Sequence, residues 1–382
     1  MKTIAFFTTS RAEFGIIRPL LKAIRSDEAL EYLLFAGGSH LDSRHGNTFS
    51  EIAESGEKVT SLLNYLEPTY DLSAVGLGLS NLVCMVTKIF SSHNFDMVCI
   101  VGDRYEMLAV VSLAVIAKVP IVHLHGGERT EGAIDDQVRH MITKAAHLHF
   151  VICEEYANNV SAMEEEEWRI HNVGALAADG MREVNSREKI DVFQEYGFDS
   201  SRPKAILTYH PVSMEESIDP TQQVNNLFDA LSRFDLSVIV TSPGVEVDTD
   251  KTLAATMARI SGNENIKYVQ SLGAERYFSA LAHCDFVIGN SSSGVIEVPY
   301  FRKPTINIGS RQQGRFKHRS VIEANFSVES ISSAIEKSLS PNFVESIVGM
   351  DYEFGRGDTA SKIVRILRET KVDRKLLRKK IR

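Results

Sequence analysis

Acidic residues stand where two short apolar runs end. Met97–Val101 leads into Gly102-Asp103-Arg104, and Ile121–Leu124 leads into His125-Gly126-Gly127-Glu128, with Asp135-Asp136 a little further on. Carboxylates gathered at one edge push one another's pKa upward, so the group supplies both an acid and a base near neutral pH. Taken singly, Asp103 also reads as an N-cap for the following helix, and Asp135 with Arg139, one turn apart, as a surface ion pair. His123, His125 and His140 nearby raise a metal site. Their spacing does not match a zinc-binding helix and no dense acidic loop accompanies them, so no metal is expected.

A second chemistry is anion binding. The run Asp285–Ile288 enters Gly289-Asn290-Ser291-Ser292-Ser293-Gly294 and then a short helix with Glu297 in its first turn. Such a loop offers backbone amides, hydroxyls and a helix dipole to a diphosphate. Glu297 can accept hydrogen bonds from the two hydroxyls of a ribose, or can simply face solvent behind a serine-rich cap. Ser10-Arg11-Ala12-Glu13 opens a helix after the first apolar run, a second anion-binding geometry with a guanidinium at hand. Tyr209-His210-Pro211 places a histidine after another run.

The elements that must position these residues alternate. Strands are expected at Thr3–Phe7, Glu31–Phe35, Met97–Val101, Ile121–Leu124 and Leu148–Ile152, with helices at Phe14–Arg25, Leu72–Phe90, Tyr105–Ala117 and Ala133–Ala146. In that last helix Ile134, Val138, Met141, Ile142 and Ala145 form an apolar stripe. Beyond the polar stretch Asn185–Arg202, a second series runs through Lys204–Tyr209, Val238–Thr241, Ile266–Val269, Asp285–Ile288 and Thr305–Ile308. The expectation is an α/β protein of two doubly wound Rossmann-like domains, 1–184 and 185–382, with a ligand cleft between them and room for the C-terminal helix to return to the first.

Composition excludes other classes. The 382 residues are 43% hydrophobic, and 42 Lys and Arg against 50 Asp and Glu give a formal charge of −8. That balance argues against an extended nucleic-acid face. No uninterrupted apolar run reaches the roughly 18 residues of a membrane span, and no secretory leader is evident. Cys84, Cys99, Cys153 and Cys284 are dispersed, as expected of free thiols in a reducing cytoplasm. Glu164–Glu167 is expected on a solvated helical face, and the basic tail Lys371–Arg382 as a packed or frayed helix.

Together, SRAEFG at 10–15, GSHLDSRHGNT at 38–48, VGDRYE at 101–106, HLHGGERTEGAIDDQVRH at 123–140, YHPV at 209–212, GNSSSGVIEVP at 289–299 and INIGSRQQGR at 306–315 resemble the hydrolysing UDP-N-acetylglucosamine 2-epimerases. The resemblance implies a glycosyltransferase-B-type architecture, no cofactor, and release of UDP and N-acetylmannosamine for sialic acid synthesis. The route it implies is anti elimination of UDP to a 2-acetamidoglucal, then hydration. It assigns Asp103, Asp135 and His210 to acid–base and leaving-group roles, and Arg11, Arg104, Ser291, Ser292, Glu297 and Arg311 to UDP. Ala12, Ser293, Gly294 and Arg139 complete the expected substrate-binding set. Other members carry Glu where this chain has His125, so either His125 or Glu128 inherits that role, and some carry Lys in place of Ile16. The same elimination–hydration on UDP-2,4-diacetamido-2,4,6-trideoxyglucose and a UDP-sugar-binding protein without turnover are the competing readings. A homodimer or homotetramer is implied.

Overall fold

The computed structural model describes residues 1–42, 48–69, 71–131, 134–185, 190–211, 218–243 and 249–380. Residues 43–47 of the GSHLDSRHGNT block, Ala133, Val212 and residues 186–189 of the polar stretch lie outside them. The chain forms two compact units, one of residues 1–128, 133–179 and 354–382, the other of 129–132 and 180–353.

The first unit holds a parallel sheet of β1 (Lys2–Thr8), β2 (Leu30–Gly37), β3 (Val59–Leu63), β4 (Met97–Val101), β5 (Ile121–Leu124), β6 (Leu148–Val151) and β7 (Ile170–Asn172), in the order β3-β2-β1-β4-β5-β6-β7. Side chains alternate across a strand, so β1 feeds two cores. Ile4 and Phe6 pack with Phe14, Ile17 and Leu21 of helix Arg11–Arg25, while Ala5 and Phe7 pack on the opposite face with Val86, Val110 and Ile142. Helix Thr359–Glu369 adds Ile363 and Leu367 to the first core. With apolar groups covering both faces, the strands read as continuous hydrophobic runs, which is why most were legible.

The second unit holds β8 (Lys204–Thr208), β9 (Ser237–Thr241), β10 (Ile266–Val269), β11 (Phe286–Gly289), β12 (Thr305–Ile308) and β13 (Val321–Ala324), ordered β10-β9-β8-β11-β12-β13, also parallel. Leu207 faces one core and Ile206 the other. In each sheet the order reverses beside the first strand, between β1 and β4 and between β8 and β11. Ligands of doubly wound sheets bind beyond the carboxyl ends of strands at that reversal.

Two expectations need correction. Glu164–Glu167 is not a solvated helical face: the helix ends at Ala162, and Glu165 is 2% exposed, bonded to His149 and to Lys379 of the tail. The apolar stripe of helix Ile134–Ala145 is narrower than read, since Ile134 and Met141 are exposed. By length and composition, helix Leu72–Ser92 is long and apolar enough to cross a membrane, although Ser80, Asn81, Thr87 and Lys88 interrupt it. Its Gly78, Leu82, Val86 and Ile89, one turn apart, form its buried side.

Candidate active site

β4 ends at Val101, and Gly102 takes a left-handed φ of +66° that turns the chain outward at Asp103. His123 of β5 braces this turn. It is fully buried, its Nε2 donates to the Gly102 carbonyl at 2.8 Å, and Nδ1 lies 3.2 Å from the Thr143 hydroxyl. Burial pushes its pKa down to about 3, so the ring is neutral. Among the described residues no cluster of three or more His, Cys, Asp or Glu is placed to hold a metal ion.

Asp103 meets Arg139 of helix Ile134–Ala145, whose side chain is almost wholly buried. The guanidinium ion-pairs with Asp103, donates to Asp136 at 3.2 Å, and donates to the Glu128 carbonyl at 2.8 Å. Burial disfavours its charge, yet Asp103 and the other carboxylates raise its pKa above the usual arginine value. Arg139 therefore organises the acidic cluster. Asp136, three residues before it, ion-pairs with it at 3.2 Å, and Asp135 is an exposed residue of the same helix.

β5 ends at Leu124, and His125 adopts φ +64°, a conformation costly for a residue with a Cβ. Its N–H donates to the Phe150 carbonyl at 3.0 Å, and its Nδ1 lies 2.7 Å from Oε1 of buried Glu128. Gly127 is obligatory: its φ is +79°, and a Cβ there would stand 2.4 Å from the Tyr156 carbonyl oxygen.

At the end of β1, Ser10 caps the helix that starts at Arg11 by accepting from the Glu13 N–H, and the Glu13 carboxylate accepts from the N–H of Thr9, the residue before the cap, at 2.7 Å. Arg11 and Ala12 lie exposed at this helix start. Burial raises the Glu13 carboxyl to about 7 against the opposing pull of Arg104. Arg104 itself is engaged by buried Glu106, through Nη2 at 2.6 Å and Nε at 3.2 Å.

In the second unit, Gly289 faces the Thr208 carbonyl so closely that a Cβ would lie 1.9 Å from its oxygen, which explains the glycine ending β11. Asn290 is buried and bonded through both ends of its amide to the backbone of His210. Its backbone carbonyl accepts from Arg311 at 3.3 Å and from buried Gln312 at 2.8 Å. Ser291 and Ser292 are half-buried beyond it, and the Ser293 hydroxyl is 2.6 Å from Tyr277 Oη. Gly294 packs against Thr305, whose hydroxyl donates to its carbonyl at 2.7 Å. The helix that follows is one turn, Ser293–Ile296, so Glu297 stands at its end rather than in its first turn.

The structure thus gathers Asp103, Glu128, His125 and Arg139 in one unit, and His210, Ser291–Gly294 and Arg311 in the other. Asp136, Glu106, Asn290 and Gln312 were given no role from sequence, although all four lie inside blocks that were quoted.

A family model described as UDP-N-acetylglucosamine 2-epimerase matches residues 22–368. The chain belongs to this family. Among its relatives in the 2-epimerase family, the Campylobacter jejuni GDP/UDP-N,N'-diacetylbacillosamine 2-epimerase (hydrolyzing) is 33% identical over 350 residues, covering 90% of this chain and 89% of that protein. The UDP-N-acetylglucosamine 2-epimerase of Neisseria meningitidis serogroup B is 30% identical over 359 residues, covering 94% and 92%. A crystal structure of UDP-GlcNAc 2-epimerase from Neisseria meningitidis bound to UDP-GlcNAc superposes with a TM-score of 0.83 at 14% identity over 97% of this chain and all of that one. This 2-epimerase family member shares that fold.

Proposed function

We propose that the protein is a hydrolysing 2-epimerase that converts UDP-N-acetylglucosamine and water to N-acetylmannosamine and UDP, for sialic acid synthesis. The observation that carries this reading is the cluster of Asp103, Glu128 and His125 around buried Arg139, at the carboxyl ends of β4 and β5. Inverting C2 requires a base to take its proton on one face of the sugar and an acid to return one on the other. Asp103 or Asp135 takes the C2 proton as UDP leaves C1. His210 and Arg11 answer the charge growing on the diphosphate, and Ser291, Ser292 and Arg311 hold it. Glu297 takes the ribose. The resulting 2-acetamidoglucal is then hydrated.

The relative at 33% identity supports a second substrate, the UDP form of N,N'-diacetylbacillosamine, a 2,4-diacetamido-2,4,6-trideoxyglucose. The chemistry at C1 and C2 is the same, and only contacts at C4 and C6 differ. Exposed Leu72, Leu77, Val115 and Ile116 on two apolar helices support a homo-oligomer.

Proton NMR of the purified protein in deuterated water, with each sugar nucleotide in its own tube, tests the reading. Free UDP with a C2-deuterated manno sugar is expected. A UDP-linked manno product would make the enzyme non-hydrolysing, and absence of turnover in both tubes would refute the proposal.

A further inference from the structure

The geometry points to His125 and Glu128 as a dyad that hydrates the intermediate, with His125 as the proton carrier and Glu128 as the residue that positions it. The inference rests on the hydrolysing reading above and goes beyond it by dividing the two half-reactions between different side chains.

Four observations carry it. Nδ1 of His125 lies 2.7 Å from Glu128 Oε1, and because a carboxylate accepts, Nδ1 is the protonated nitrogen. Nε2 has no hydrogen-bond partner among the described residues, and the ring keeps 13% of its side-chain surface open while Glu128 keeps 5%. The backbone holds His125 at φ +64°, secured by its bond to the Phe150 carbonyl and by Gly127 packed on Tyr156. Strain of this kind persists only where the surroundings impose it, and it aims the ring. Asp103 is meanwhile engaged by Arg139, a different partner on a different strand end.

A carboxylate on one imidazole nitrogen fixes the tautomer and stabilises the imidazolium. Protonated His125 gives its Nε2 proton to C2 of the 2-acetamidoglucal. The electron pair of the C1–C2 double bond forms the new C2–H bond, leaving positive charge shared by C1 and the ring oxygen. Water then bonds to C1, and its surplus proton returns to Nε2, so the residue ends as it began. Nothing is oxidised or reduced.

The test supplies 2-acetamidoglucal directly and follows its hydration by NMR, alongside UDP release from both sugar nucleotides. His125→Gln is expected to lower kcat for hydration about 10²-fold and Glu128→Gln about 10-fold, with KM little changed. The double variant is expected to match His125→Gln alone. Added imidazole restores part of the activity of His125→Ala but not of wild type, and UDP release continues in every variant, so the glucal accumulates. Hydration at the wild-type rate in either single variant overturns the dyad, as do losses that multiply in the double variant. If wild-type protein releases no UDP from either substrate, the hydrolysing reading itself fails.

Discussion

The side-chain amide of Asn290 holds the backbone of His210 from both sides, Oδ1 accepting its N–H at 2.7 Å and Nδ2 donating to its carbonyl at 2.8 Å. The two residues lie at the ends of adjacent strands, β11 and β8, where the order of the sheet reverses. The loop proposed to hold the diphosphate therefore also sets the histidine proposed to answer its charge. Asn290→Ala is expected to lower kcat for UDP release about tenfold or more, and the double variant with His210→Ala to be no slower than His210→Ala alone. Steady-state kinetics of the three variants check this, and multiplicative losses would separate the residues.

Arg139 is the counter-charge on which the acidic cluster depends. Arg139→Met leaves Asp103 and Asp136 facing each other without it and strips the Glu128 carbonyl of its donor. Urea unfolding should show a loss of about 3–5 kcal/mol, as for a broken buried pair. Asp103→Asn keeps the remaining arginine bonds, so its fold should survive while turnover falls about 10²-fold or more. Equal stability of Arg139→Met and wild type would contradict the arrangement.

Glu297 is expected to matter for affinity rather than rate. Half-buried Tyr277 and Tyr352 near it are pushed above the ordinary phenol range, first by desolvation and then by its charge. Glu297→Ala should weaken UDP binding about tenfold in calorimetry, the worth of a charge-assisted hydrogen bond. Unchanged affinity would remove it from the ribose site.

Acid should loosen the fold well above the carboxylate range. Burial lowers His40, His147 and His318 to about 4 and His123 to about 3, from an ordinary value of 6.5. Between those values the unfolded chain binds protons that the folded chain does not, so stability is full above about pH 6.5 and falls as pH drops toward 4. The urea midpoint should hold level from pH 7.5 to about 6.5 and fall from there to pH 5. A flat midpoint over that range would mean these rings are not held neutral.

Removing the basic tail should destabilise the first unit. Fully buried Arg169 donates to the carbonyls of Leu376, Lys375 and Arg378 at 2.8–3.2 Å, and Lys379 reaches Glu165. Truncation after Val372 leaves Arg169 its bonds to the His147 carbonyl and Glu166 and its stacking over Trp168, but removes the three tail carbonyls. At about 1–3 kcal/mol for each lost bond to a buried group, a clear fall in melting temperature is expected, with Arg169→Ala showing a comparable one.

The parallel strands were legible because burial on both faces writes them as unbroken Val, Ile and Phe runs; Met97–Val101 and Thr305–Ile308 match to the residue. The short outer strands β3, β7 and β13 were not, being half-exposed or mixed in sequence, as in Ile170–Asn172. Chemistry at strand ends was visible as motifs, but pairing was not. That Arg139 takes Asp103, thirty-six residues earlier in the chain, depends on how its helix packs against the end of β4. That Glu165 is buried depends on a tail more than two hundred residues away, a contact no local pattern encodes.

The first unit holds both chain ends. Lys2 at the start of β1 donates to the carbonyls of Leu367 and Arg368, and Leu367 packs among Ile17, Leu20 and Leu21. A ribosome therefore delivers the whole of residues 180–353 before the last helix that the first core requires. Synthesis order and completion order are opposite: the half begun second can mature first, while the half begun first waits with an uncovered apolar flank. During that interval the nascent chain offers chaperones a binding surface, and a stop codon anywhere in the last thirty residues, though remote in sequence from Asp103 and His125, strikes the unit that carries them.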